Sequence, residues 1–399
     1  MMNVIPYREA LCLMNEKFAA IGVTETLPTD KTVGRICAKD VFCPENLPPY
    51  RRSTVDGYAL KSSDAAVCSP AAPAVLKVVG AVEMGQKPAN KIKIGECMYI
   101  PTGGMLPEGS DCVVMIEQIE RIGEEICLSS SLSYMENVVE IGEDYKKGER
   151  IVEKGTVITA MRAAALAGAG VKTAEVVKKP KYFVISTGDE LVNYDEECPL
   201  GKIRDVNTLL LTYAAPLWEC VGSVKVKDDY DKLKENIDKA AEIADIILLS
   251  GGSSVGNADY TERLLAEVGE IFIRGIALKP GKPTVASFGK GKIFIGLPGH
   301  PTAAFTVLKE VCLKAYERSQ SVKERPKIKA RSEINFPAGK GRTLIMPVKL
   351  QEKDGETYFE PLYGKSGMVG TMAACDGFVT VPDFVEGIDK GKIAEIELL

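Results

Sequence analysis

Apolar positions recur at helical spacing over residues 7–21, where Tyr7, Leu11, Met14, Phe18 and Ile21 share one face and Gly22 ends the run. The pattern predicts a short amphipathic helix. Over residues 23–158 the rhythm changes to short alternating runs, at 75–79, 97–100 and 112–115, set between Gly and Pro turns. Such alternation predicts β structure. The Pro48–Pro49 pair reads as the entrance to an inserted β domain, with its exit near residue 140. A helix is predicted over 160–166, with Thr159 as N-cap and Gly168-Ala-Gly170 as its stop.

From residue 180 the pattern alternates strand, loop and helix. Strands are predicted at 182–185, 245–249 and 292–295, and helices at 230–243, from about 258, and at 303–316; residues 207–221 are mixed. The unbroken apolar run at 245–249 suits a strand buried on both faces. The alternation implies a parallel sheet with helices on its faces. The charged stretch 319–326 reads as a linker, and residues 327–399 return to short β segments. Neither an internal repeat nor a low-complexity tract is present.

At 399 residues the chain is too long for one core. Hydrophobic residues make up 45% and charged residues 26%, ordinary values for a globular protein. A net charge of −5 argues against nucleic acid as a partner, although a few local lysines can still attract an anionic small molecule. The first residues lack the features of a secretory signal, and no apolar run is long enough to span a bilayer. Eleven scattered cysteines without C-x-x-C spacing suggest free thiols in a reducing compartment, so a cytoplasmic location is expected. His300 is the only histidine, which disfavours zinc and excludes a Ser–His–Asp triad built elsewhere in the chain.

Ligands of open α/β sheets bind beyond the carboxyl ends of the strands. Three loops there have suitable composition. Ser250-Gly-Gly-Ser-Ser254, continuing to Asp259, offers backbone N–H groups to a phosphate and a carboxylate to a divalent metal, though many such turns are purely structural. Ser186-Thr-Gly-Asp-Glu190 holds two adjacent carboxylates that suit either metal binding or capping of a following helix. Lys279-Pro-Gly-Lys282-Pro holds two ammonium groups together, as an oxyanion site would, or as two solvated lysines would. The turn Leu297-Pro-Gly-His300-Pro301 is chiefly architectural. Asp56 reads as a hairpin-turn residue before Gly57, and Gly142-Glu-Asp144 as an exposed acidic loop. These residues alone define a multi-domain α/β protein binding an anionic or phosphorylated small molecule.

The loops in their order also resemble the molybdopterin molybdenumtransferase family, which comprises the bacterial MoeA proteins and the E domain of gephyrin. The resemblance rests on the stretch Pro48-Pro-Tyr-Arg-Arg-Ser-Thr-Val-Asp56-Gly-Tyr-Ala, on Thr102-Gly-Gly, Gly142-Glu-Asp144, Ser186-Thr-Gly188-Asp-Glu190-Leu and Asp205-Val-Asn207. It extends through the loop at 250–260, the lysine loop, Leu297-Pro298-Gly-His-Pro301 and Ser366-Gly-Met, so it spans essentially the whole chain. It implies a multi-domain α/β plus β fold: an elongated N-terminal domain (1–46 and 141–177), an inserted β domain (47–140), a molybdopterin-binding α/β domain with a mostly parallel sheet (178–325) and a C-terminal β domain (326–399). The implied reaction inserts molybdate into adenylylated molybdopterin and releases AMP, with Mg2+ as cofactor and molybdate as co-substrate. A tungstate-preferring enzyme and a non-catalytic molybdopterin carrier or sensor are the alternatives. By resemblance, Asp56, Asp144, Glu190 and Asp259 are catalytic, with Glu190 and Asp259 holding metal. Thr102, Gly188, Ser250, Gly251, Gly252, Ser253, Ser254, Pro298 and Pro301 would bind the pterin substrate, and Lys279, Lys282, Arg342 and Ser366 would hold molybdate. A homodimer, and transient contact with the protein that adenylylates the pterin, are implied as well.

Overall fold

The computed structural model describes residues 4–251, 257–324, 326–364 and 367–399, the side chains of 257–259 excepted. Its centre is a six-stranded sheet. In chain order the strands are β1 (Lys181–Thr187), β2 (Glu219–Val226), β3 (Ile246–Ser250), β4 (Glu270–Arg274), β5 (Val285–Gly289) and β6 (Lys292–Leu297), arranged β2-β1-β3-β6-β5-β4. The first four in that spatial order are parallel, and β5 runs antiparallel to both β6 and β4. Every residue of β3 is buried. Its alternate residues feed separate cores on the two faces, Ile246 and Leu248 on one side and Ile247 and Leu249 on the other.

Helices α1 (Asn207–Tyr213), α2 (Tyr230–Ile243) and α3 (Asn257–Val268) connect these strands. The mixed stretch at 207–221 thus divides into α1 and the start of edge strand β2. The antiparallel pair β4 and β5 was not foreseen, because neither segment carries a clean alternation. In the connection from β5 to β6, Lys290 and Gly291 take φ of 53° and 72°, as a type I′ hairpin requires.

The N-terminal helix, Tyr7–Ala20, forms as its periodicity predicts and buries Tyr7, Ala10, Leu11, Met14 and Phe18. Its face packs far along the chain, where Phe18, Tyr182, Trp218 and Tyr316 assemble with neighbouring ring centroids 5.5–5.8 Å apart. The long helix after β6 begins with α4 (Pro301–Val307), passes through a π-helical turn at Leu308–Leu313 and ends at Lys314–Ser319. The strand at Thr24–Pro28 pairs antiparallel with Thr173–Val177, and Val41–Phe42 pairs with Arg150–Val152. The intervening chain leaves and returns at one neck, where the Leu47 N–H donates to the Tyr145 carbonyl at 2.8 Å. Beyond that neck stands a separate six-stranded sheet, whose two cores draw only on residues 55–138. The helix over Ala160–Gly168 is capped by Thr159, whose side chain accepts from the Arg162 N–H.

The last region closes a small barrel, because Thr343–Lys353 pairs with both Glu356–Pro361 and Gly377–Val381. Two of its joints to the central unit are polar. Leu278–Lys279 adds as a parallel strand to Thr343–Leu344. A charged network forms the second joint: the Lys314 ammonium donates to Glu310 at 2.5 Å and to Glu397 at 2.7 Å. Glu310 is only 1% exposed, and its Oε1 has no partner among the described residues.

Burial is the largest influence on the Lys314 ammonium and works against it, yet the Glu310 and Glu397 carboxylates and Tyr7 together hold its proton affinity above the ordinary lysine value. Burial would raise the Glu397 carboxyl, but the hydrogen bond and charge of Lys314, with the charges of Lys309 and Lys327, together hold it below the usual carboxylate range. A depressed carboxyl stabilises the fold above its unfolded value and loses that contribution as pH falls through the folded one. A raised lysine contributes below its unfolded value and fails only in strong base. The joint is therefore strongest between the two ranges. Replacing Lys314 with Met leaves Glu310 buried without a counter-charge and is expected to cost about 3–5 kcal/mol. Urea unfolding followed through Trp218, the only tryptophan, measures this. Adding Glu310→Gln should recover part of the loss, and no recovery would sink the buried-charge explanation.

Candidate functional site

The parallel register brings two of the predicted loops and the architectural turn together. Ser186 lies beside Ser250, and Ser250 beside Leu297, so the segments after β1, β3 and β6 leave the sheet side by side. Ser250 is buried. Gly251 follows with φ of 135°, and a Cβ there would fall 2.1 Å from the Thr187 carbonyl oxygen. No other residue permits that approach.

One buried side chain ties the segments, and its role was not legible in the sequence beyond its place in the Asp205-Val-Asn207 motif. The Asn207 amide donates to Ser250 Oγ and to the Gly299 carbonyl, both at 2.7 Å. Its Oδ1 is buried and has no partner among the described residues. Asp205 sets the start of α1 by accepting from the Thr208 N–H at 3.1 Å and from its hydroxyl at 2.5 Å. Thr187 donates to Asp228 at 2.6 Å across the neighbouring loop.

The loop after β1 does not cap a helix. Leu191–Val192 is a strand that pairs with Ile203–Arg204, and the Ile203 N–H donates to the Glu190 carbonyl at 2.9 Å. The capping alternative for Asp189 therefore falls. Glu190 is exposed, and its carboxylate lies over Gly188, where a Cβ would come within 2.8 Å of Oε2.

The two lysines line a cavity of about 670 Å³ between the central unit and the barrel. The pairing of Leu278–Lys279 with Thr343–Leu344 brings Arg342 to the same wall. Among the described residues, Lys279, Lys282 and Arg342 are the charged ones that line it, and no carboxylate does. Pro298, Gly299 and His300 line it as well, so the turn after β6 belongs to both the strand-end loops and the cavity. At Gly281 φ is 127° and a Cβ would strike Val307 at 2.7 Å, which keeps the lysine loop flat on α4. A second cavity of about 690 Å³ mixes Arg8, Lys309, Lys314, Arg318 and Lys327 with Glu317, Glu324, Asp383 and Glu397. Its interspersed charges of both signs give less reason to attract an anion.

Asp56 and Thr102 come together on the separate six-stranded module. Asp56 Oδ1 accepts from the Thr102 N–H at 2.7 Å and from its hydroxyl at 3.1 Å. The hairpin expected at Asp56-Gly57 does not form, since Gly57–Leu60 pairs with Glu96–Ile100 and Cys112–Met115 instead. Asp144 lies elsewhere, exposed at the neck, with its N–H donating to the Leu47 carbonyl at 3.0 Å. Nearby, Arg51 holds Glu140 through two bonds of 2.8 Å. Gly252, Ser253, Ser254, Ser366 and the Asp259 side chain lie outside the described residues.

Three family models match the chain: "MoeA N-terminal region (domain I and II)" over residues 5–170, "Probable molybdopterin binding domain" over 183–318, and "MoeA C-terminal region (domain IV)" over 329–399. A molybdopterin molybdenumtransferase of Staphylococcus aureus is 30% identical, with 99% of this chain and 96% of that protein covered. Two solved structures of molybdopterin biosynthesis MoeA proteins from Pyrococcus horikoshii are similar throughout. One has a TM-score of 0.80 at 34% identity over 99% of both chains, the other 0.81 at 27% over 100% of both.

Asn207→Ala is expected to destabilise the central unit by about 1–3 kcal/mol, because it leaves Ser250 and Gly299 unpaired in a buried setting. Hydrogen exchange should quicken at residues 250 and 299 and leave the module at 55–138 unaffected. Wild-type protection of both segments in the variant would show that the tie is dispensable.

Proposed function

Since the chain belongs to the MoeA family and acts in molybdenum cofactor biosynthesis, we propose that it inserts molybdate into adenylylated molybdopterin with release of AMP. The cavity, whose described lining residues include three cations and no carboxylate, carries the reading. An acidic protein concentrates positive charge in one apolar recess when an anion is to be bound there. Lys279, Lys282 and Arg342 would hold the tetrahedral oxyanion, with Ser366 beside them. The backbone after Ser250, from Gly251 to Ser254, would cradle the pyrophosphate, with Gly188, Pro298 and Pro301 shaping the adjoining walls. Asn207 would keep these segments in register, its unpartnered Oδ1 ready to accept from a pterin N–H.

Glu190 and Asp259 would hold magnesium. Their oxygen donors fit, since magnesium takes one or two carboxylates and completes its shell with water and phosphate oxygens. When bound it supplies charge neutralisation at the phosphates. The position of the Glu190 carboxylate over Gly188, at the end of β1, supports this assignment.

Asp56, with Thr102, and Asp144 would complete the active cleft from a second copy of the chain. Support comes from the place of Asp56 and Thr102 on a module whose cores share no residue with the central one. The division into 1–46 with 141–177, 47–140, 178–325 and 326–399 follows the same logic. A homodimer working in the cytoplasm, fed by transient contact with the pterin-adenylylating protein, completes the proposal.

Purified protein mixed with adenylylated molybdopterin and magnesium should release AMP only when molybdate is added. Release with tungstate alone would redirect the assignment, and tight pterin binding without release would make the chain a carrier. Asp259→Asn should abolish release with the fold retained. Equal mixtures of Asp56→Asn and Asp259→Asn chains, refolded together, should regain about a quarter of wild-type activity if the two residues serve one site from different subunits. Failure to exceed either variant alone would place them in one chain.

A further inference from the structure

An adenylylated pterin has two ends, and the central sheet has two faces to receive them. Asn207 opens α1, and Thr302 and Ala303 of α4 line the lysine cavity. Both helices pack on one face of the sheet, where Leu211, Ala304 and Val307 join its core. Helices α2 and α3 cover the other face through Leu233, Ile237, Leu264 and Leu265. With pyrophosphate at the strand ends, a pterin that meets molybdate on the first side would leave its nucleotide on the second. The loops of that second side are drawn together at Thr187. Its hydroxyl donates to Asp228, between β2 and α2, and its carbonyl oxygen lies against Gly251. Tyr230 opens α2 two residues after Asp228, and Tyr260 stands in the first turn of α3. Their rings meet edge to face, with centroids 6.1 Å apart and planes at 70°.

Tyr230 is fixed from further sides. Its hydroxyl donates to Glu267 at 2.5 Å, and the Arg263 guanidinium lies over its ring, 4.8 Å from the centroid. Its body packs against the core beneath α2 and α3. Tyr260, braced by that ring, keeps 44% of its surface exposed. We propose that Tyr260 is the stacking platform for the nucleobase of the adenylate, with Tyr230 and Arg263 as positioning residues behind it. This rests on the adenylylated-pterin reading and adds a group that recognises the base. Tyr260 directly follows Asp259 in sequence, so a base one ribose away from the metal-bound phosphates comes to its ring. An aromatic face suits the task, since every base presents a π surface, and a ring already held by its neighbours loses little freedom on binding.

The test is calorimetric titration of the full chain, with magnesium present, by AMP and by ribose 5-phosphate, which lacks the base. The wild type should bind AMP about tenfold more tightly, as one stacked base requires. Tyr260→Ala should erase that preference and leave the affinity for ribose 5-phosphate where it was, whereas Tyr260→Phe should keep the preference. Tyr230→Leu should lose part of it, and Tyr230→Phe should recover most, because the ring rather than the hydroxyl braces Tyr260. Equal affinity of the wild type for the two ligands would overturn the platform while leaving the phosphate site standing. An AMP preference that survives in Tyr260→Ala would do the same. Loss of both ligands together in that variant would mark Tyr260 as structural and also overturn the proposal. If the wild type binds neither ligand, the adenylate reading itself falls and the platform falls with it.

Discussion

A two-residue strand sets the geometry on which the rest depends. Leu278–Lys279 is short, but its hydrogen bonds to Thr343–Leu344 make the lysine loop part of the barrel's sheet while its neighbours belong to the central unit. Without that pairing Arg342 would have no fixed distance from Lys279, and the recess between the two units would have no defined shape. Backbone pairing is a sound choice of joint, because its register is discrete and a slip of one residue reverses every side chain. The charged contact through Lys314 reinforces the same interface from another side and opposes rotation about the short strand.

The central sheet supplies a different kind of precision. Parallel strands end on one edge, so segments far apart in sequence arrive in the same crevice without any special code for their meeting. What the register leaves free, Asn207 closes, with one amide spanning Ser250 and Gly299. An amide suits this task, since it offers two donors and one acceptor in a plane. Both donors are used within the protein, and the acceptor remains.

Much of this was legible in the residues themselves. The unbroken apolar run before Ser250 and the turn composition of the loops identified the strand-end crevice, and helical spacing identified the N-terminal helix. The antiparallel strands β4 and β5 escaped because their burial patterns are irregular, and the hairpin turn at Lys290-Gly291 folds β5 back onto β6 without any signal in the periodicity. Asp189 misled for a related reason. A carboxylate after a strand suits a helix cap, but Leu191 finds a strand partner at Ile203, and pairing overrides local preference. The tie through Asn207 lay beyond sequence reasoning, since it spans 43 residues to Ser250 and 92 to Gly299. The meeting of Arg342 with the lysines followed from family resemblance alone, because no local pattern links residue 279 to residue 343.

The packing of the first helix has a consequence for how the chain is made. Tyr7 donates its hydroxyl to the Glu310 carbonyl, 303 residues away, and the helix's apolar face rests on the last turns of the long helix after β6. At ordinary synthesis rates of about 5–20 residues per second, roughly 15–60 seconds separate the emergence of this helix from that of its partner. During that interval Leu11, Met14 and Phe18 have no permanent place to go. The module at 55–138 meets no such delay, since all of its core residues emerge in one stretch. Assembly on the ribosome should therefore seat the inserted sheet before the residues made first.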